Sequence, residues 1–156
     1  MYSIYTDGAC RGNPGPASWA FVVYNDKDSE VGFKRGSEDL STNNAMELEA
    51  ILQALVHISK NVEKYVGVGG VTIYTDSAFC VNVITQWMDG WQANGWKKKS
   101  PGPIKNLEII QKLHKYWHIC GKGVGNVQIA KVAGHSGIKG NERADELCNN
   151  VLDESK

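Results

Sequence analysis

The chain has 156 residues, and its 17 basic and 17 acidic side chains cancel to zero net charge. That length holds one ordinary domain with a well-buried core, and a hydrophobic content of 42% excludes a disordered chain. Neutral balance argues against indiscriminate affinity for nucleic acid, while leaving room for a local basic patch.

In chain order, residues 3–6 read as a first strand, and the Gly12, Pro14, Gly15 and Pro16 cluster as a turn. Residues 19–24 form a second strand, 25–28 a turn and 31–35 a third strand, so short connections predict an antiparallel meander. Residues 41–44, Ser-Thr-Asn-Asn, are good capping material for a helix. Its apolar positions Met46, Ala50, Ile51, Ala54, Leu55 and Ile58 keep a helical rhythm. A loop at 67–70 leads into a strand at 71–75, then a second helix carrying Val81, Ile84, Trp87 and Met88. Beyond the Pro-Gly-Pro stretch at 101–103 comes a third helix with Leu107, Ile110, Leu113 and Trp117. Glycines at 121–125 return the chain to a strand at 127–132, and Ala144, Leu147, Cys148 and Val151 mark a last helix.

A meander followed by β-α-β-α predicts an α/β fold, a mixed sheet with helices covering its faces. No linker or low-complexity tract divides it, so residues 1–156 are expected to form one domain. Cys10, Cys80, Cys120 and Cys148 are scattered, without a Cys-x-x-Cys pair, and read as four buried thiols of a reducing cytoplasm. No leader is visible ahead of the first strand and no apolar run is long enough to span a bilayer. A cytoplasmic chain without membrane association is the expectation.

The tetrapeptide Ile-Tyr-Thr-Asp occurs twice, at residues 4–7 and 73–76, each copy closing an apolar, β-prone run with a carboxylate. An Asp after a strand is often only a turn former or a helix cap. If the two strands are neighbours and parallel, however, Asp7 and Asp76 meet at the sheet edge where ligands of open α/β sheets bind. Glu47 strengthens this reading, because Ile51, Ala54, Leu55 and Ile58 surround it on the helix, and an unpaired charge in an apolar stripe is costly. Asp145 lies on the flank of its helix's apolar stripe, where a solvated role is equally open. Converging carboxylates repel one another unless a cation neutralises them, and their oxygens suit Mg²⁺ or Mn²⁺. Structural Ca²⁺ would call for a compact loop of alternating oxygen ligands, which the sequence lacks.

Five segments carry a family resemblance: Thr6-Asp7-Gly8-Ala9-Cys10 with Gly12 to Gly15, Thr42-Asn43-Asn44 with Met46-Glu47, Thr75-Asp76-Ser77, Gly134-His135 with Gly137, and Asn141-Glu142 with Asp145. Together and in this order they resemble type 1 ribonuclease H over essentially the whole chain. The resemblance implies a ribonuclease H-like, five-stranded mixed sheet and an endonuclease that hydrolyses the RNA strand of RNA–DNA hybrids. The ends left would be 5′-phosphate and 3′-hydroxyl. By the same resemblance, Asp7, Glu47, Asp76 and Asp145 hold two Mg²⁺ ions, which Mn²⁺ can replace, and His135 assists proton transfer or product release. No small-molecule cofactor beyond the metal is implied, and a monomer is expected.

The resemblance also assigns the substrate contacts. Asn13, Asn43 and Asn44 would read the minor groove, where the 2′-hydroxyl tells RNA from DNA, although turn and cap chemistry would explain these amides as well. Thr42 and Asn106 match residues that hold a DNA phosphate, and Phe79 and Trp87 match a channel for deoxyribose. Helical rhythm alone would bury Trp87. Trp91, Trp96, Lys97, Lys98 and Lys99, with Lys105 following, interleave tryptophan and lysine as expected of a basic protrusion at about 90–106 that grips phosphates. A lysine run can equally be a solvated face. Gln92, Ala93 and Asn94 stand where bacterial relatives often carry basic residues, and Ala78 stands where many place a longer side chain. Both departures touch substrate affinity, not the carboxylates. A silent nucleic-acid-binding module would tolerate loss of a metal ligand, and a strand-transfer enzyme would lack the asparagine cluster. Neither fits as well.

Overall fold

A computed structural model describes residues 1–154. Five strands, β1 (Tyr2–Cys10), β2 (Gly15–Tyr24), β3 (Glu30–Ser41), β4 (Val71–Thr75) and β5 (Val127–Lys131), form one sheet in the order β3-β2-β1-β4-β5. The first three pair antiparallel, while β4 joins β1 and β5 joins β4 in parallel. Among the described residues, six helices accompany them: α1 (Asn43–Lys60), α2 (Val62–Val66), α3 (Ala78–Asn82), α4 (Met88–Ala93), α5 (Leu107–Val124) and α6 (Lys139–Glu154). A π-helical turn over Val83–Trp87 joins α3 to α4.

The run of apolar residues in β2 is continuous because both faces of the sheet are covered. Ala17, Trp19, Phe21 and Val23 point into the main core beneath α1 and α5, with Leu48, Ile51, Leu55, Ile110 and Leu113. Ala20, Val22 and Tyr24 point the other way, onto Ala144, Leu147 and Cys148 of α6. Truncating a fully buried side chain such as Ile51 or Leu55 to Ala costs about 2–5 kcal/mol in such surroundings.

The strands run longer than their apolar cores predict: β1 continues past Asp7 to Cys10, and β3 reaches Ser41, because both still pair with β2 there. Other differences have local causes. The five-residue α2, absent from the sequence reading, occupies the stretch before the glycine loop. Gly121 and Gly123 do not end α5, which runs on to Val124 and is capped by Gly125 at φ 90°. A methyl on Gly123 would come within 3.3 Å of Val62, so that glycine serves the contact between α5 and α2. The predicted second helix is divided by the π-helical turn. Of the four free cysteines, Cys80, Cys120 and Cys148 are buried but Cys10 is only partly so, beside a bend at the sheet edge. Among the described residues, no helix is long and apolar enough to cross a membrane.

Candidate active site

The two Ile-Tyr-Thr-Asp segments lie side by side in register. Ile4 stands opposite Ile73 and Tyr5 opposite Tyr74 in the parallel ladder, and the two tyrosine rings stack at 4.7 Å. One residue later the Thr6 hydroxyl donates to the Tyr74 carbonyl at 2.9 Å, and the strands then part. Asp7 and Asp76 flank this fork, the crevice at the carboxyl ends of parallel strands.

Helix α1 brings Glu47 to the same place. Thr42 caps it, its hydroxyl accepting from the Ala45 amide at 3.2 Å, and Asn13 accepts from the Asn43 amide at 3.1 Å, tying the bend after β1 to the helix start. Glu47 lies under the fork at 7% exposure, and its Oε1 accepts the backbone N–H of Gly8. Carboxylate oxygens of Asp7, Glu47 and Asp76 lie within 4.8 Å of one another. Asp145, on α6, stands outside that tight triad and lines the same cleft, a cavity of about 330 Å³ whose other walls include Asn43, Asn44, Ser77 and His135.

Electrostatics follow from the crowding. Burial pushes the Asp7 carboxyl up to about 7, with the charges of Asp76 and Asp145 adding and a hydrogen bond with Glu47 opposing. Burial also raises Glu47 well above the ordinary carboxylate range, and the charges of Asp7 and Asp76 reinforce it. Without a cation these groups hold protons that free carboxyls release. An all-oxygen donor set on three rigid elements fits a hard divalent cation, which relieves the same repulsion.

His135 sits on the loop between β5 and α6, at φ 55°, a left-handed conformation that non-glycine residues rarely adopt. Two residues of α6 hold it there. Asn141, 2% exposed, accepts the His135 amide at 3.3 Å and extends its own amide to Asp76 Oδ2 at 3.5 Å. Glu142 accepts the Gly137 amide at 3.1 Å. Gly134 has its own constraint, since a methyl there would lie 2.8 Å from Asp76 Oδ2. Asn141 and Glu142 belong to a segment the sequence singles out, but their supporting contacts arise only where the loop folds back onto α6. Any signal lay in two polar residues on the first turn of α6.

Except for Phe79 and Trp96, the remaining predicted contacts fall into two further clefts. Asn13, Thr42, Asn43 and Asn44 line one of about 620 Å³ with Lys105 and Asn106, and Asn43 and Asn44 are shared with the carboxylate cleft. Trp87, Trp91, Lys97, Lys98 and Lys99 line another, of about 530 Å³. Phe79, Trp87 and Trp91 run as a chain of rings at 6.1 and 5.9 Å. Trp87 is 37% exposed, contrary to the helical rhythm: the π-helical turn inserts a residue and rotates it off the buried stripe. Trp96 does not join the lysines. Its ring turns toward α5, edge-on to His114 at 5.5 Å.

A mixed sheet with carboxylates gathered where two parallel strands separate is the site of an α/β enzyme, and its all-oxygen donor set suits a hard divalent cation. The family model described as RNase H matches residues 1–153. The ribonuclease H of Alcanivorax borkumensis is 42% identical over 154 residues, 98% of this chain and 92% of its own length. That of Francisella philomiragia is 41% identical over 151 residues, 96% of this chain and 90% of its own. Among solved structures, LC11-RNase H1 in complex with an RNA/DNA hybrid superposes with a TM-score of 0.71 at 29% identity, covering 99% of both chains. The chain belongs to the ribonuclease H family.

Proposed function

We propose that this chain is an endonuclease that hydrolyses the RNA strand of RNA–DNA hybrids, leaving 5′-phosphate and 3′-hydroxyl ends. One observation carries the reading: Asn43 and Asn44 line both the carboxylate cleft and the amide-lined cleft beside it. An amide both donates and accepts, so this shared wall can recognise a 2′-hydroxyl next to the phosphate being cut. The solved complex of LC11-RNase H1 with a hybrid supports the same substrate.

In this proposal Asp7, Glu47, Asp76 and Asp145 hold two Mg²⁺ ions, with Mn²⁺ able to substitute. When bound there, a divalent metal would supply the Lewis-acid charge that phosphodiester hydrolysis needs. The residues do the rest. Gly8 and the α1 backbone fix Glu47, the Thr6 bridge fixes the fork, and Asn141 orients Asp76. His135, carried on a loop pinned at both ends, passes a proton near the leaving oxygen or helps product depart. Asn13, Asn43 and Asn44 read the groove, Thr42 and Asn106 hold a DNA phosphate, and Phe79 and Trp87 line the deoxyribose channel. Trp91, Trp96 and Lys97 to Lys99 belong to a basic protrusion at about 90–106 of a single catalytic domain, working as a monomer in the cytoplasm.

The test is a gel assay with labelled hybrid, double-stranded RNA, DNA duplex and single strands, with and without Mg²⁺. Cleavage confined to the RNA of the hybrid and dependent on Mg²⁺ is expected. Equal cleavage of double-stranded RNA, or none of any substrate, would overturn the proposal.

A further inference from the structure

Helix α4 is six residues long, follows a π-helical turn, buries Met88 and lays Trp91 partly against the main core. Two side chains anchor it to the core, few for a helix too short to be stable alone. On its solvent side Asp89 faces α5, where His114 and His118 lie one turn apart and project from one face. A single carboxylate oxygen, Asp89 Oδ1, lies 3.1 Å from Nε2 of His114 and 3.0 Å from Nε2 of His118. The three donor atoms all fall within 4.8 Å of one another. The imidazoles meet at 4.5 Å between centroids, tilted by 62°.

The two carboxylate–imidazole distances match those between neighbouring ligands of one ion. Bonds of about 2.0–2.2 Å arranged tetrahedrally put neighbouring donors roughly 3.3 Å apart. Two histidines spaced i, i+4 on a helix are a recurrent chelating pair. Side-chain exposures of 68% for Asp89, 20% for His114 and 49% for His118 leave an open side for a water ligand. Two imidazoles and a carboxylate suit Zn²⁺ and its neighbours, not Mg²⁺, which prefers oxygen alone. The plainer account makes Asp89 a shared hydrogen-bond acceptor, and it predicts no metal affinity.

We infer that Asp89, His114 and His118 form a transition-metal site, of the Zn²⁺ class, that staples α4 to α5. Trp96 lies edge-on against His114, so the staple also fixes one wall of the segment between the two helices. The site shares no ligand with the carboxylate cleft and does not depend on the proposed activity.

Zn²⁺ is titrated calorimetrically into the full chain in excess Mg²⁺, which favours the all-oxygen cleft. The parent, Asp7→Asn, His118→Gln and Asp89→Asn are compared, with the visible absorption of bound Co²⁺ as a second readout. A single Zn²⁺ should bind the parent and Asp7→Asn alike. His118→Gln and Asp89→Asn should weaken it by roughly 100-fold or more, beyond the 10–100-fold usual for losing a group that only supports a ligand. His118 and Asp89 are exposed, so neither replacement disturbs the core, and two variants guard against one misfolding. Unchanged affinity in His118→Gln and Asp89→Asn, or Zn²⁺ binding abolished only by Asp7→Asn, would overturn the inference.

Discussion

Gly8 gives its backbone N–H to the Glu47 carboxylate, and nothing larger than glycine fits where it does so. A methyl added at Gly8 would sit well inside van der Waals contact distance of the Met46 carbonyl carbon and the Glu47 nitrogen. The neighbours are helix backbone, which cannot rotate away as a side chain can. Gly8→Ala should therefore push α1 off β1 and cost about 1–3 kcal/mol, as overpacking does. It should also lower turnover, because Glu47 moves with the helix. Denaturant unfolding and single-turnover cleavage check both, and a variant with parental stability would show that the helix yields freely.

Asp7→Asn should abolish cleavage at any Mg²⁺ concentration while hybrid binding survives or improves. The substitution keeps the shape of the side chain and removes a charge from the oxygen triad that it forms with Glu47 and Asp76. Near-normal turnover by this variant, measured on labelled hybrid, would sink the two-ion assignment.

The first of these relationships was half legible in sequence; for the second the sequence pointed to Asp7, Glu47 and Asp76 but equally to Asp145, which stands outside the triad on the cleft wall. The duplicated Ile-Tyr-Thr-Asp announced two parallel strands ending level, and their register aligns the copies residue for residue. Glu47 stood out because an acid interrupts an apolar stripe. What stayed hidden depends on contacts between distant segments: Asn141 reaching Asp76, Gly123 making room for Val62, Trp96 turning to His114. The π-helical turn was hidden for another reason. One extra residue in a helix changes no composition, yet it moved Trp87 from the expected core to the surface.

Metal-free protein should lose stability as pH rises. The folded-state Asp7 carboxyl is raised to about 7, above its value in the unfolded chain, so the folded form holds a proton that the unfolded form has already released. Its contribution is present at acid pH and disappears as pH climbs to 7 and beyond, and Glu47, raised by burial as well, acts in the same sense. In EDTA the melting temperature should fall between pH 5 and pH 8.5. A penalty of about 2 kcal/mol would lower it by roughly 4–8 °C in a chain of this size. Millimolar Mg²⁺ or Mn²⁺ should restore most of the loss at the alkaline end, because a ligand that binds only the folded state stabilises it. A melting temperature in EDTA that is flat or rises over this range would contradict the buried carboxylate cluster.

Replacing Lys97, Lys98 and Lys99 together by Ala should weaken hybrid binding and flatten its dependence on salt. These side chains line one cleft with Trp87 and Trp91, which would remain to stack on bases or sugars. Each lost phosphate contact should reduce the log–log salt slope by about 0.7 to 0.9. Turnover at saturating substrate should change little, since the carboxylates are untouched. An unaltered slope would make the lysines a solvated face only.

His135→Ala should lower kcat by about 100-fold, the low end of the usual range for one acid–base group. KM should move much less, because the loop contributes few ground-state contacts in this mechanism. The defect should differ in kind from that of Asp7→Asn: residual cleavage still requires Mg²⁺, since the oxygen triad is intact. The loop's geometry supplies a second variant. Gly137 sits at φ 86°, a conformation closed to proline, and its amide is held by Glu142. Gly137→Pro should therefore displace His135 and reproduce much of the loss while leaving the imidazole in the chain. Asn141→Ala should act on both sides of the site at once, freeing the His135 backbone and leaving Asp76 without its amide neighbour. Its deficit should then exceed that of Gly137→Pro and should grow at low Mg²⁺. Parental turnover by His135→Ala from pH 6 to pH 9 would remove His135 from the mechanism and leave it an exposed loop residue.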